Sequence, residues 1–149
     1  MRKVAIGVLS IFFLWYTLNV TGFSIGRFKL VVSCFVDEPI DVVGWGLLLV
    51  GMILFIWKAK VGQYVMAVLL FLFAFLQGSI YFRTPERIAS YNNHFANQGT
   101  HYLIPPSPDF LIKDTWHTFL DVLILISLVT LTVYIVKELK KKKATSKQD

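Results

Sequence analysis

Four stretches of this chain are each about as long as a lipid bilayer is thick and nearly free of charge: residues 4–20, 40–57, 61–82 and 116–136. Crossing ~30 Å of hydrocarbon at 1.5 Å per residue takes about 20 apolar residues, so each run reads as a membrane span. Asp41, at one end, and Asp121 are the formal charges inside them. Hydrocarbon offers no partner for backbone polar groups, which leaves helices and closed barrels as spanning structures. None of the runs alternates as a barrel strand does, so the spans are expected to be helices. Composition agrees: 56% of the 149 residues are apolar and 16% charged, against roughly 45–50% and 25% in soluble domains. The expected fold class is an all-α integral membrane protein, a polytopic four-helix bundle in one domain over 1–149. Residues 21–39 and 83–115 form the longer connections and 137–149 a basic tail.

Lys and Arg are retained on the cytoplasmic side during insertion, so their count sets the orientation. Arg2 and Lys3 precede the first span, Lys58 and Lys60 join the second to the third, and six lysines follow the fourth, ten on one side. The other side has five, namely Arg27, Lys29, Arg83, Arg87 and Lys113, offset by Asp37, Glu38, Glu86, Asp109 and Asp114. Both termini are expected inside. The formal charge of +6 therefore does not read as nucleic-acid binding, because six of the fifteen basic residues sit in the tail from Lys137 to Lys147, next to the headgroups. Lys140 to Lys143 reads as a stop-transfer anchor or as a contact for anionic lipid headgroups. Lysine-rich ends and a single cysteine, Cys34, fit a bacterial plasma membrane and exclude an intramolecular disulfide. The first span has a rival reading as a signal peptide cleaved near Val20-Thr21-Gly22. Val31-Val32-Ser33-Cys34 resembles a lipid-attachment site, but Arg27 and Lys29 break the apolar run that should precede it.

The connections carry their own signals. β-Branched and aromatic residues between Ser24 and Val36 predict an extended segment or hairpin. Thr84-Pro85-Glu86 and Ser107-Pro108-Asp109 each offer a capping hydroxyl, a proline at the first helical position and a carboxylate beside the positive helix end. The first start predicts a short amphipathic helix on the outer interface, carrying Ile88, Tyr91 and Phe95 and stopping at Gly99. The second predicts that the fourth helix begins at Pro108, after an extended Pro105-Pro106. Gly44, Gly46 and Gly51 in the second span and Ala74 with Gly78 in the third offer small faces for close packing.

One constellation bears on function. Asp114, His117 and Asp121 are spaced i, i+3 and i+7, which places them within a stripe about 60° wide on a helix. A carboxylate inside the span costs at least ~2.5 kcal/mol unless protonated or paired. A polar cluster is therefore expected around Asp121, with Gln77 at the same depth, Tyr16 and Asn19 nearby, and Arg83 reaching down as the counter-charge. Either the cluster is a site, with His94 and His101 folded over it so that His94, His101, His117 and Asp121 hold a divalent metal or relay protons, or it fixes the rotation of the fourth helix. No other cofactor is implied, and no nucleophile with a matched base, phosphate loop or HExxH spacing is present. Three functions stay open: a non-enzymatic accessory, regulatory or immunity-type protein acting through helix contacts with another membrane protein or a second copy, a small metal-binding protein or enzyme using the His/Asp cluster, and an oligomeric channel or carrier.

Overall fold

The structure, a computed structural model, describes residues 1–105, 107 and 110–145. Helix α1 (Arg2–Thr21) is followed by strands β1 (Phe23–Ile25) and β2 (Phe28–Val31) and a single helical turn, α2 (Cys34–Asp37). Then come α3 (Pro39–Trp57), α4 (Ala59–Ser79) with a 3₁₀ turn at Ile80–Phe82, the amphipathic α5 (Pro85–Asn97) and α6 (Thr115–Thr145). Four helices, α1, α3, α4 with its 3₁₀ extension, and α6, are long and apolar enough to cross a membrane.

These four close a ring in which α3 packs on α4, α4 on α6, α6 on α1 and α1 on α3. The core inside it holds Leu9, Phe12 and Tyr16 of α1, Leu48, Met52 and Phe55 of α3, Met66 and Leu70 of α4, and Trp116, Leu120, Ile124, Leu131 and Tyr134 of α6. The opposite faces are as apolar as the core: Ile11, Leu14, Val50, Phe71, Phe75, Leu125 and Val129 are all exposed. Water would not tolerate such a belt, whereas lipid does. Because lipid tails are as apolar as leucine, the ring must be held by close packing and internal hydrogen bonds. Trp15 and Trp116 supply one such lock, each indole Nε1 donating to the other residue's carbonyl at 3.1 and 3.2 Å. Trp45 adds a third bond, donating to Thr17 Oγ1 at 2.9 Å.

The helix ends of the bundle differ. At one, the lysine end, Arg2 donates to the carbonyls of Phe55 and Ile56 that α3 leaves unsatisfied, and α3 turns into α4 through Lys58 alone. That turn depends on Gly62, where a Cβ would overlap the backbone of Leu54 and Phe55. Of the small residues expected to carry packing, Gly51 faces Met66 and Leu69 and Gly44 faces Tyr16 and Phe73, but a Cβ on Gly46 or Gly78 meets nothing. Helix α6 runs past residue 136 through Lys140–Lys143 to Thr145, so the described part of the basic tail is helical rather than separate.

At the other, the loop end, the expected hairpin forms antiparallel between β1 and β2, turning at Gly26 with φ +58°. Helix α5 begins at Pro85 and ends before Gly99, whose φ is +68°, as its sequence signals read, but the Thr84 hydroxyl makes no capping bond to the helix backbone and bonds the Glu86 carboxylate instead. The second start does not hold. Pro108 and Asp109 lie outside the described residues, as does Pro106, but residues 110–114 are not helical and α6 begins at Thr115. Asp114 marks that start: its Oδ1 accepts the His117 N–H at 2.8 Å, which makes it the side-chain cap that Ser107 was expected to be.

Gly62→Ala is expected to destabilise the bundle by about 1–3 kcal/mol, since main chain rather than a flexible side chain must yield. Thermal unfolding in detergent micelles reads this as a lower midpoint, with Gly46→Ala as the neutral control. Equal midpoints for the two variants would show that the α3–α4 crossing is not close.

Candidate functional site

The stripe read as one cluster separates into two pairs that face different ways. Asp114 caps α6 and binds His117, whereas Asp121, six residues inside the helix and about 9 Å along its axis, turns toward α4. The counter-charge of Asp121 is Lys113, not Arg83. Lys113 Nζ lies 2.7 Å from Asp121 Oδ2, donates to Gln77 Oε1 at 3.3 Å and to the Gln77 carbonyl at 3.4 Å, and stands 4.6 Å above the Tyr81 ring. Tyr81 adds its hydroxyl to the same carboxylate oxygen at 3.1 Å. Burial pulls the Lys113 ammonium below the ordinary lysine range, opposed by the hydrogen bond and charge of Asp121. Gln77 joins the cluster as expected. Tyr16 and Asn19 do not: both turn to Asp41, Tyr16 donating to its carbonyl at 3.4 Å and Asn19 Nδ2 to its carboxylate at 2.6 Å.

The four residues expected to share a metal are held apart. His101 Nδ1 is 2.8 Å from Thr115 Oγ1, its N–H donates to the Lys29 carbonyl at 2.7 Å and its ring leans on Phe28, so it ties the hairpin to the start of α6. His94 stands 3.9 Å from Glu38, both about half exposed. His117 goes with Asp114 and Asp121 with Lys113. Among the described residues no three His, Cys, Asp or Glu side chains gather as a metal would require.

What the fold builds instead is a cleft of about 450 Å³ at the loop end, between α5 and the ends of the spanning helices. One wall is apolar and belongs to α4, with Phe73, Leu76 and Ile80. The floor is aromatic, with Tyr16 and Trp116. Helix α5 supplies the far wall from one face, Arg87, Ser90, Tyr91 and His94, a spacing that repeats every three or four residues. Arg83 stands at the start of that wall, and Glu38 and Asp41 enter from the start of α3.

His117 joins the cleft to what lies behind it. Its Nδ1 is 2.8 Å from Asp114 Oδ1, and its ring lies edge-on to Phe95, Trp116 and Tyr91, with centroids 4.6, 4.7 and 6.0 Å away. Asp114 is wholly buried and its Oδ2 has no hydrogen-bond partner among the described residues. A cavity of about 30 Å³ adjoins it, lined also by Asn19, Ser33, Asp41 and Thr100, polar and roomy enough for water. Burial, then the charges of Asp114 and Asp121, raise the Tyr91 phenol; burial and Asp114 raise that of Tyr102. The Glu86 carboxyl is held below its usual range by its own backbone N–H and the Thr84 hydroxyl at the helix start.

Two residues that shape this end carry weaker sequence signals. Asn92 is buried on α5, donates to the carbonyls of Ser107 and Phe110 at 2.6 Å each and accepts the Ile112 N–H at 3.3 Å, stapling the connection to α6. Lys113 had a signal of its own, as the basic residue nearest Asp121 in the chain, but it also served the topology count. A further opening of about 270 Å³, between α4 and α6, exposes Ala74, Gln77, Gly78, Tyr81 and Asp121 toward the membrane side of the bundle.

Comparison of the chain with protein-family models, with curated proteins and with solved structures finds no similar protein.

Removing one member of the Lys113–Asp121 pair leaves a charge in a low-dielectric setting, whereas removing both does not. Lys113→Met is expected to cost about 2–4 kcal/mol of bundle stability and Asp121→Asn less, with Lys113→Met/Asp121→Leu recovering most of the loss. Unfolding in mixed micelles gives the double-mutant cycle; additive losses would mean that the two residues do not depend on each other.

Proposed function

We propose that this is a non-enzymatic membrane protein of accessory, regulatory or immunity type, which works by recognising an amphiphilic molecule at the outer leaflet. The observation that carries this reading is the cleft of about 450 Å³, apolar along α4 and charged along α5 and the start of α3. A site of that volume is within the usual range for small-ligand pockets, and mixed lining with a few charged groups is how such sites fix orientation. The His117–Asp114 pair supports positioning rather than turnover: the carboxylate caps a helix as well as holding the imidazole.

In this proposal the loop end faces outward from a bacterial plasma membrane and the lysine end faces the cytoplasm. The support is the ten-to-five distribution of Lys and Arg between the two ends, together with the lysines that α6 carries past its apolar stretch. The helical lysines then lie against anionic headgroups, each worth about 1 kcal/mol near the surface.

A second reading, a partner helix or second copy docked in the membrane, is favoured by the opening between α4 and α6. There Ala74 and Gly78 present a small, unfilled face, with nothing near a Cβ on Gly78, beside an Asp121 Oδ1 that has no partner among the described residues.

Two outcomes are expected. An alkyl-diazirine lipid probe added to membranes should label Leu76, Ile80 and Tyr91, and Ser90→Trp, which fills the cleft from an exposed position, should reduce that labelling at least severalfold while leaving lipid-facing Phe71 and Leu125 labelled as before. Even labelling all round the bundle, unmoved by Ser90→Trp, overturns the cleft reading. For orientation, a protease acting from outside intact cells should spare a tag fused to the C-terminus and reach one inserted at Gly26; the reverse pattern inverts the topology.

A further inference from the structure

Arg83 and Arg87 both line the cleft, and neither guanidinium has a hydrogen-bond or ion-pair partner among the described residues. Arginine presents a planar fork of donors that matches a phosphate, and two of them four residues apart form a pole of charge +2 on one side of the opening. The opposite pole is acidic. Glu38 is about half exposed, and the nitrogen side chain paired with it is His94 at 3.9 Å, too long and too wet to satisfy a carboxylate. Asp41 lies beside it, with one carboxylate oxygen already taken by Asn19. On α5, Arg87 and His94 are seven residues apart, about 10 Å along the axis, which puts the two poles within reach of long side chains closing from either end.

Between and below the poles runs the apolar wall of Phe73, Leu76 and Ile80. It leads from the charged mouth onto the membrane face of α4, where Leu76 is 61% exposed and Leu72 and Phe75 continue the surface. A soluble zwitterion would leave that wall uncovered, and a fatty acid would meet only one pole. An anionic lipid would satisfy the arginines but give the carboxylates nothing.

Resting on the reading of the cleft as a binding site, we propose that it takes a zwitterionic phospholipid from the surrounding leaflet, with the phosphate on Arg83 and Arg87, the ammonium group toward Glu38 and Asp41, and an acyl chain along Phe73, Leu76 and Ile80. The two charge poles give selectivity in different ways. The arginines bind any phospholipid, and Glu38 discriminates between headgroups, because it attracts an ammonium and repels a second anion.

The full-length protein, purified in detergent, is mixed with phosphatidylethanolamine, phosphatidylcholine or phosphatidylglycerol of matched acyl chains, and bound lipid is counted by native mass spectrometry. Both zwitterionic lipids are expected to bind about tenfold more tightly than phosphatidylglycerol, since the attraction of Glu38 and Asp41 for a positive charge is open to either headgroup, with or without an N–H to donate. Arg83→Gln with Arg87→Gln should weaken all three. Glu38→Gln, at an exposed position that leaves the fold intact, should erase most of the preference by raising phosphatidylglycerol binding. Equal binding of the three lipids by the natural sequence, or an unchanged preference in Glu38→Gln, overturns the assignment. So does displacement of bound lipid by inorganic phosphate or free phosphoethanolamine at comparable concentration, which would make the ligand a soluble phosphate. Ser90→Trp separates the two levels of the argument: if it lowers retention of lipids that show no headgroup preference, the cleft stands and the headgroup assignment falls, and if it changes nothing, both fall.

Discussion

A carboxylate nearly two turns inside a membrane-crossing helix has to be neutralised, and the way Asp121 is neutralised organises the whole loop end. Its partner, Lys113, lies before α6 and folds back over the helix start, so the chain from 110 to 114 cannot wind into the helix. That leaves Asp114 at the boundary, where its carboxylate caps α6 and holds His117. His117 is thereby aimed at the cleft, where Tyr91 and Phe95 of α5 meet its ring edge-on. One electrostatic requirement thus propagates through a helix start into the wall of a cavity.

The spans were legible because hydrocarbon imposes a length and a composition that no other environment asks for. The α5 signals were legible for a local reason: Thr84, Pro85 and Gly99 act through their own backbone geometry, within a turn of where they stand. The same logic failed at Ser107-Pro108-Asp109. A capping signal says where a helix can start, but competition with an ion pair between residues eight apart decided where this one does.

The site was legible only in its ingredients. Spacing put Asp114, His117 and Asp121 on one helical stripe, correct for a helix covering all three, but Asp114 sits at its edge and the stripe divides. Depth matching found Gln77 and missed the pairing of Tyr16 and Asn19 with Asp41, because depth along the bundle says nothing about which neighbour lies across the gap. The sequence offered Arg83 as the counter-charge, because a long side chain at the end of the third span can reach down. The structure gives Lys113 that place and leaves Arg83 on the cleft, where its charge is unspent. Histidines scattered through a long connection carry no geometry of their own, and the long-distance contacts of His94 and His101 come from the start of α3, from β2 and from α6.

The single-residue turn at Lys58 bears on how this bundle can move. With Gly62 in backbone contact with Phe55 and Arg2 clasping the last carbonyls of α3, the lysine end behaves as a clamped fulcrum. At the other end the 3₁₀ turn links α4 to α5. A tilt of α3 and α4 about that clamped end would have to break the Asn19–Asp41 bond and the Lys113–Gln77 bond before the cleft mouth could widen, so the same polar contacts that shape the cavity also fix its aperture.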